Sequence, residues 1–310
     1  MKRVVLALWV LAFAARAEEP APMPGYVGDE TCVGCHGAMH EALLKKYDQT
    51  IHARVLNKTN AQTPLAAHGC EACHGPGQAH VDAGGGKGVG GFVPFGETTP
   101  EAIARIDAAC MACHKGGGRT YWKGSVHDRA DISCTSCHTV MQNVSQSRLL
   151  AATTEVQTCA HCHQTQYARI FRNAHMPLHP GDFRVSTNPD GKMSCSSCHQ
   201  PHGSVTKSLI TSLTVNDQCT SCHAEKRGPF LWEHSPVVEN CLNCHEPHGS
   251  TRRAMLKMQL PRLCQTCHVS TGHATSPRLP NDRFAVATSC LQCHTQVHGS
   301  NHPSGFALTR

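Results

Sequence analysis

The 310-residue sequence contains few of the side chains that normally build a protein interior. Aromatic residues make up 5% of the chain and charged residues 16%, and cysteine and alanine inflate the hydrophobic fraction of 40%. An ordinary chain of this length forms about two domains, with interiors packed as closely as organic crystals. Large apolar side chains are too sparse here to fill two such cores. Something other than side chains must therefore occupy the interior.

Long hydrophobic runs are also missing. The apolar segment Val4–Ala15 is shorter than the stretch of about 20 residues that a membrane-spanning helix needs. It follows the basic residues Lys2 and Arg3, and Ala15-Arg16-Ala17 has the A-x-A form of a signal-peptidase site. We therefore predict a signal peptide over residues 1–17 and an exported mature chain.

Every one of the 20 cysteines lies in a Cys-x-x-Cys-His motif. This motif attaches c-type haem: the two cysteines form thioethers with the porphyrin, and the histidine becomes the proximal ligand of the iron. The ten motifs are numbered 1 to 10 along the chain. Their first cysteines are Cys32, Cys70, Cys110, Cys134, Cys159, Cys195, Cys219, Cys241, Cys264 and Cys290. Their second cysteines are Cys35, Cys73, Cys113, Cys137, Cys162, Cys198, Cys222, Cys244, Cys267 and Cys293. Their proximal histidines are His36, His74, His114, His138, His163, His199, His223, His245, His268 and His294.

A disulfide framework or a set of zinc sites could also use many cysteines. Disulfides place no demand on the residue after the second cysteine, yet that residue is histidine in all ten motifs. Structural zinc sites combine four ligands, usually from paired knuckles. The motifs therefore predict ten covalently bound haem c groups, whose porphyrins replace the missing core side chains.

Histidine is also in excess, because the ten motifs account for only ten of the 24 histidines. The remainder is large enough to give each iron a second, distal histidine. Nine of these residues recur in similar contexts near a motif and are the predicted distal ligands: His52, His80, His127, His175, His202, His234, His248, His273 and His298. Four others, His40, His68, His161 and His179, share no such context.

The tenth distal ligand has two candidates. Met141 stands three residues after the proximal histidine of motif 4, the spacing at which His202 and His248 stand in motifs 6 and 8. A thioether is a competent haem ligand that raises the reduction potential, although a lone methionine can simply pack against apolar surface. The other candidate is His302. One haem is thus expected to be either His/Met or His/His ligated.

The motif spacing predicts an array of small units. The larger gaps between motifs fall early and at the midpoint, which favours two pentahaem halves, residues 26–172 and 173–310. Periodic units of this kind pack mainly on their neighbours along the chain. The predicted fold class is a multihaem cytochrome c with little regular secondary structure, in which short helices and loops surround a linear haem array with almost no sheet.

Three local patterns predict helices. They are expected over Gly37–Tyr47, over Pro100–Cys113, and from a Thr153 or Thr154 cap to about Arg172. The glycine-rich segment 84–91 is expected to form a loop, since it lacks the Lys-Ser/Thr ending of a phosphate-binding loop.

Three longer segments resemble the decahaem MtrA, PioA and DmsE family of periplasmic cytochromes. They are Cys70-Glu-Ala-Cys-His-Gly-Pro-Gly77, the pair Ala224–Pro229 and Leu231–His234, and Val297–Gly305. The resemblance implies ten haems stacked in a thin wire, sheathed by an outer-membrane β-barrel porin. It also implies a periplasmic or inner-membrane donor or acceptor cytochrome and an outer-surface multihaem cytochrome as partners. One departure is Met141, where MtrA-type chains have histidine.

These patterns favour an electron-transfer protein over an enzyme. Two axial ligands leave an iron no open position, whereas a multihaem reductase needs a vacant one, often flagged by lysine in place of the motif histidine. The expected function is an electron conduit between periplasm and cell exterior, serving mineral reduction or iron oxidation. The alternative is a soluble periplasmic shuttle that feeds a terminal reductase such as a sulfoxide reductase.

The formal charge of +6 describes the chain without haem and therefore gives no support for nucleic-acid binding. Removal of residues 1–17 takes away three basic residues. Each ferric haem with two ionised propionates and two histidine ligands then adds roughly one negative charge. The mature holoprotein is therefore expected to be acidic.

Overall fold

The computed structural model describes residues 25–145, 148–175, 193–268 and 289–309. The predicted signal peptide and the predicted ligand His273 lie outside these ranges, as does His179. In the described ranges, no helix is both long enough and apolar enough to cross a membrane.

Short helices joined by turns make up the described chain. The α-helices are α1 (Asp29–Met39), α2 (Glu41–Tyr47), α3 (Ile51–Val55), α4 (Glu71–His74), α5 (Gln78–Asp82), α6 (Pro100–Met111), α7 (Cys134–Cys137), α8 (Glu155–Ala160), α9 (Gln164–Arg169), α10 (Val215–Thr220), α11 (Ser235–Glu239) and α12 (Arg262–Gln265). Single 3₁₀ turns cover Leu65–His68, Gly117–Tyr121, Asp128–Ala130, Cys195–Ser197, Lys207–Leu209, Ala224–Lys226, Cys241–Asn243, Arg253–Met255 and Cys290–Gln292.

Strand pairing among the described residues is limited to isolated bridges. They join His138 to Leu150, Asn173 to Ser250, His199 to Ile210, Trp232 to Ser300 and His245 to Leu256. The predicted fold class, short helices and loops with almost no sheet, is therefore confirmed.

Two threonines cap helices: Thr154, which was predicted, and Thr99, which was not. The Thr99 hydroxyl accepts from the Ala102 N–H at the start of α6, with Pro100 in the first turn. Thr154 does the same for α8 by accepting from Gln157. In both cases the cap satisfies one of the N–H groups that a helix start leaves without an intrahelical partner.

Two predicted helices are broken and one ends early. The helix expected over 37–47 is part of α1 followed by α2, because His40 leaves the helical region at φ −125°. The helix expected to reach Arg172 divides into α8 and α9, since His163 has φ −88° and ψ 52°. Helix α6 ends inside motif 3, at Met111. The segment 84–91 is a loop, as predicted.

Contacts divide the chain into two units. One comprises Met1–Leu44 and Ile51–Val93, is described from residue 25 onward, and carries motifs 1 and 2. The other comprises Lys45–Thr50 and Pro94–Arg310 and carries motifs 3 to 10. The pentahaem halves at 26–172 and 173–310 remain a prediction.

Few apolar side chains are buried. In the described residues they are Ala66, Ala102, Ile103, Ile106, Trp122, Leu150, Ile170 and Leu209. Several carboxylates are buried instead, among them Glu71, which is 2% exposed and accepts from the N–H groups of Val27, Gly28 and Gly77. Such a sparse core agrees with an interior built around a prosthetic group rather than around packed side chains.

Candidate haem-binding sites

All twenty cysteines are described, and none is joined to another in a disulfide. In motifs 2 to 10 the polypeptide makes a tight turn in which the N–H of the histidine bonds to the carbonyl of the first cysteine, as for His138 and Cys134 at 3.0 Å. This turn keeps both cysteines and the histidine close together. The arrangement is the one that covalent attachment of a haem above its proximal ligand requires.

The motif treats its two cysteines alike, but the structure gives them different environments. All ten first cysteines are half-buried. Six second cysteines are exposed instead: Cys35, Cys113, Cys162, Cys222, Cys267 and Cys293. The other four second cysteines are half-buried: Cys73, Cys137, Cys198 and Cys244. The two sulfurs of a motif are thus not equally enclosed by the polypeptide.

The backbone of the turn is the same whether the second cysteine is exposed or half-buried. Its N–H bonds to the carbonyl of the first cysteine at 3.2 Å both in exposed Cys162 and in half-buried Cys73. In the described ranges, no group of three or more His, Cys, Asp or Glu side chains is placed to hold a metal ion. The assignment of both cysteines as thioether anchors stays a prediction from the motif.

Seven proximal histidines face a second imidazole at a nearly constant distance. The ring-centroid separations are 6.2 Å for His36–His80, 6.2 Å for His127–His163, 6.0 Å for His138–His202, 6.2 Å for His175–His223, 5.9 Å for His199–His248, 6.1 Å for His234–His268 and 6.1 Å for His245–His298. A metal–nitrogen bond of about 2 Å on each side, plus the half-width of each ring, accounts for such a separation. These pairs therefore fit one iron with two axial imidazoles.

The pairs also have the tautomer that binds iron. The Nδ1 atoms of His138, His199 and His245 lie 2.8, 2.7 and 2.8 Å from the carbonyl oxygens of Arg148, Ser208 and Ala254. A carbonyl can only accept, so the ring proton is on Nδ1 and the Nε2 lone pair is left for the metal. His294 has the same partner type, the Ala307 carbonyl at 2.7 Å.

Distal rings are fixed in the same way. His127, His175 and His234 donate from Nδ1 to the carbonyls of Pro201, Pro247 and Val297, at 2.8, 3.3 and 3.0 Å. Each of these three accepting residues immediately precedes another distal histidine, namely His202, His248 or His298. The orientation of one distal ring is thus coupled to the backbone that carries the next.

The carbonyls that orient the proximal rings come from strained turns. Arg148 and Leu149 have φ of 60° and 51°, and the pairs Ser208/Leu209 and Ala254/Met255 repeat this left-handed conformation. Left-handed backbone is uncommon for residues with a Cβ, and strain of this type persists where the surrounding structure demands it. These residues were not predicted, because neither their side chains nor their spacing carry a motif.

Burial lowers the pKa of two distal histidines. Burial first, and then the facing His138 ring, lowers the pKa of His202. The pKa of His248 is lowered by burial and by His199. Because neutral imidazole is the form that binds a metal, both rings are suited to ligation.

Two histidines near the pairs have other environments. The His40 ring lies 5.6 Å from that of His36, but the two are one turn apart in and beside α1, where rings stack as ordinary helix neighbours. The distal ring that pairs with His36 is instead His80, which donates from Nδ1 to the Val89 carbonyl at 3.1 Å, in the way that the other distal rings donate to a carbonyl. His68 packs on the Tyr26 ring at 4.0 Å.

The two candidates for the tenth distal ligand are both described. His302 Nδ1 accepts from the Ser304 N–H at 3.2 Å, so its ring proton is on Nε2, the atom that would have to bind iron. Met141 follows His138, which already faces His202 at 6.0 Å. For motifs 2, 3 and 10 the distal ligand stays a prediction. His52, one of the predicted distal ligands, lies in α3 and its Nδ1 atom is buried.

The first cysteines of successive motifs meet in pairs. The two thiols of each pair lie near enough to interact electrostatically: Cys32 with Cys70, Cys110 with Cys134, Cys159 with Cys195, Cys219 with Cys241 and Cys264 with Cys290. The chain is therefore built of five two-motif modules: motifs 1–2, 3–4, 5–6, 7–8 and 9–10. A haem on one motif of a module is anchored next to the haem on the other.

Comparisons with known proteins agree with this arrangement. A family model described as a doubled CXXCH motif matches residues 188–228 and 234–273, and one described as cytochrome c-type protein NrfB-like matches residues 70–162. The multiheme cytochrome MtrA of Shewanella baltica is 42% identical over 292 residues, which cover 91% of this chain and 81% of that protein.

More distant matches are with longer proteins. The C-type polyheme cytochromes OmcC and OmcB of Geobacter sulfurreducens are 26% and 28% identical. The matched regions cover 64% and 63% of this chain but only 26% and 28% of those proteins. All three relatives are named as cytochromes with several haems.

Proposed function

Because the chain belongs to the MtrA family of multihaem c-type cytochromes, we propose that it conducts electrons between the periplasm and the cell exterior through ten haems c inside an outer-membrane barrel. The observation that carries the proposal is the set of seven facing imidazole pairs at 5.9–6.2 Å. An iron held on both sides by imidazole has no position for a substrate, so its chemistry is electron relay. The protein is accordingly an electron-transfer protein rather than an enzyme.

The proposed ligand set follows a repeating register. Each even-numbered motif from 4 to 8 takes the histidine that lies just after the next even-numbered motif. Motif 4 takes His202, motif 6 takes His248 and motif 8 takes His298. Each odd-numbered motif from 5 to 9 takes the histidine that lies before the preceding motif. Motif 5 takes His127, motif 7 takes His175 and motif 9 takes His234. Motifs 4 to 9 thus each take their distal ligand from a neighbouring module.

Close spacing of the haems supports conduction. Within a module, the first thioether sulfurs of both haems are neighbours, as for Cys110 and Cys134. From motif 4 to motif 9, the borrowed distal ligands tie each module to the next. Because tunnelling weakens steeply with distance, a wire needs neighbouring haems near contact, and both features favour that.

The barrel is the part of the proposal that rests most on the family. A haem wire has no continuous apolar surface for lipid, and backbone polar groups inside a bilayer must all be satisfied. Outer-membrane barrels are closed and reach sizes that enclose large plugs. We propose such a barrel as the partner, with a periplasmic or inner-membrane cytochrome at one end of the path and an outer-surface multihaem cytochrome at the other.

The test is purification of the tagged protein from native outer membranes in mild detergent, followed by reconstitution into liposomes that contain a reducible dye. We expect haem-stained protein to migrate with a barrel, and external reductant to reduce the enclosed dye only when both are present. Liposomes with the barrel alone are the control. Recovery of all haem as a free periplasmic monomer would contradict the conduit and favour the shuttle to a terminal reductase.

A further inference from the structure

One position recurs just before the first motif of the modules. Its side chain accepts a hydrogen bond from backbone at the start of the second motif. The bonds run from the Cys70 N–H to Asp29 Oδ1 (2.8 Å), from the Cys134 N–H to Asp107 Oδ1 (2.9 Å), from the Ser196 N–H to Glu155 Oε1 (2.5 Å) and from the Cys241 N–H to Asn216 Oδ1 (2.8 Å). Asp29, Asp107 and Asn216 lie three residues before a first cysteine, and Glu155 four. In the fifth module Pro261 holds the position and has no side-chain acceptor.

From the first module to the fourth, the acceptor side chain loses its negative charge but keeps its hydrogen bond to a backbone N–H. Asp29 and Asp107 carry a full negative charge, and their described partners are neutral: backbone N–H groups and, for Asp107, the Trp122 indole N–H at 2.8 Å. The charge of Glu155 is offset by Arg148, at 2.9 Å. Asn216 is neutral.

The first module has a second carboxylate of the same kind. Glu71 lies inside motif 2, is 2% exposed, and accepts only from backbone N–H groups among its described hydrogen bonds. Motifs 1 and 2 therefore have a negative charge at both of these positions, whereas the two corresponding residues of module 4, Asn216 and Leu242, are neutral.

These charges lie beside the atoms that anchor the haems. Asp29 Oδ1 lies 2.8 Å from the backbone nitrogen of Cys70, and Asp107 Oδ1 lies 2.9 Å from that of Cys134; each carboxylate also stands three residues before the first cysteine of its module. A negative charge in a poorly solvated site stabilises the ferric haem, which has one more positive charge than the ferrous form. Local charge and burial are among the features by which a protein sets a haem potential.

We propose that this recurrent position sets a step in reduction potential along the chain, with the haems of motifs 1–4 lower in potential than those of motifs 7–10. Asp29 and Asp107 are positioning residues for the haems and also tune them through their charge. The proposal needs only that haem is bound at the motifs. It does not depend on the barrel or on the direction of electron flow.

The test uses the full-length holoprotein and two matched variants on α1. Asp29→Asn removes the half-buried charge but keeps Oδ1 as an acceptor for Cys70, whereas Glu30→Gln removes an exposed charge one residue away. In spectroelectrochemical titrations, we expect Asp29→Asn to move about two tenths of the haem absorbance change to higher potential, because two of ten haems are affected. Glu30→Gln should leave the curve close to wild type. Asp29→Glu, which keeps the negative charge, should keep the low-potential part of the curve that Asp29→Asn loses.

A second arm predicts the opposite sign. Arg148→Gln removes the cation that offsets Glu155, and its side chain is 61% exposed, so the substitution is tolerated sterically. We expect the potential of the haems of motifs 5 and 6 to fall, and Arg129→Gln, an exposed charge outside this contact, to change little. An unchanged low-spin spectrum in each variant shows that the ligands are intact. Titration curves that coincide for Asp29→Asn and Glu30→Gln would overturn the proposal, as would a rise after Arg148→Gln.

Discussion

Replacing His202 by alanine opens the iron of motif 4 and no other, so the reduced variant binds carbon monoxide at about one haem in ten. The reason is that His202 faces His138 at 6.0 Å with ring planes 13° apart, and this pairing supplies the sixth ligand of a single iron. The same result is expected for His248→Ala, where the iron of motif 6 loses the ring that faces His199. Carbon monoxide titration followed by absorbance counts the opened irons.

The matched control is His302→Ala. His302 stands beside His298 in sequence, but its Nδ1 accepts a local N–H and its ring is therefore protonated on the atom that would bind iron. We expect this variant to bind no carbon monoxide. Binding after His302→Ala, or no binding after His202→Ala, would show that the distal ligands are assigned incorrectly.

Replacing Gly249 by alanine should cost roughly 2–5 kcal/mol of stability, from backbone strain and from a clash. Gly249 has φ +131°, and an added Cβ would collide with the Arg169 carbonyl oxygen. The residue directly follows the distal ligand His248, so relief of the clash displaces that ring as well. We expect a lower Tm in the visible-region circular dichroism and partial high-spin character at one haem.

Gly116→Ala provides the comparison for this substitution. Gly116 has an extended backbone at φ −101°, and nothing lies within 4 Å of an added Cβ. A change within about 0.5 kcal/mol is expected at such a site. Equal Tm values for the two variants would mean that the close approach at Gly249 does not exist in the holoprotein.

The cofactor and the fold class could be predicted because each is encoded locally. A Cys-x-x-Cys-His motif contains all the covalent chemistry of one haem, and scarce core residues imply an interior filled by porphyrin. The helix cap at Thr154 could be predicted because it too is local. Helix ends at the motifs were predicted less well, since the haem histidines leave helical geometry, as His163 does.

The pairing of ligands is not local and could not be read from spacing. His202 follows motif 6 closely but faces His138 of motif 4, and His127 precedes motif 4 but faces His163 of motif 5. The left-handed turns at Arg148, Ser208 and Ala254, which orient the proximal rings, have no sequence signature either. Both features depend on how distant segments pack, and only the three-dimensional structure reveals them.

The two cysteines of a motif differ for the same reason. Cys159 meets Cys195 of the next motif, whereas the second cysteine, Cys162, stays exposed. The repeat of first and second cysteines is identical in every motif, so their unequal exposure has no signature in the sequence. It follows from which residue of the turn packs against the neighbouring motif.

The recurrent hydrogen-bond acceptor before the first four modules could be recognised only in the structure. Asp29, Asp107 and Asn216 are visible in the sequence, but a carboxylate or amide three positions before a cysteine indicates nothing until its hydrogen bond to the next motif is seen. The two-motif module is the unit in which that contact repeats. Charge variation within a constant hydrogen bond is the feature that distinguishes tuning of the haems from simple support of the backbone.

The most direct test of the account is a count of haems and of open irons in the intact wild-type protein. Intact mass and a haemochrome assay give the number of covalent haems, and carbon monoxide titration of the fully reduced protein gives the number of irons with a vacant or labile site. We predict ten haems per chain, all low spin, and no rapid carbon monoxide binding. Fewer than ten haems, or a stoichiometric carbon monoxide site in the wild-type protein, would contradict the electron-relay function.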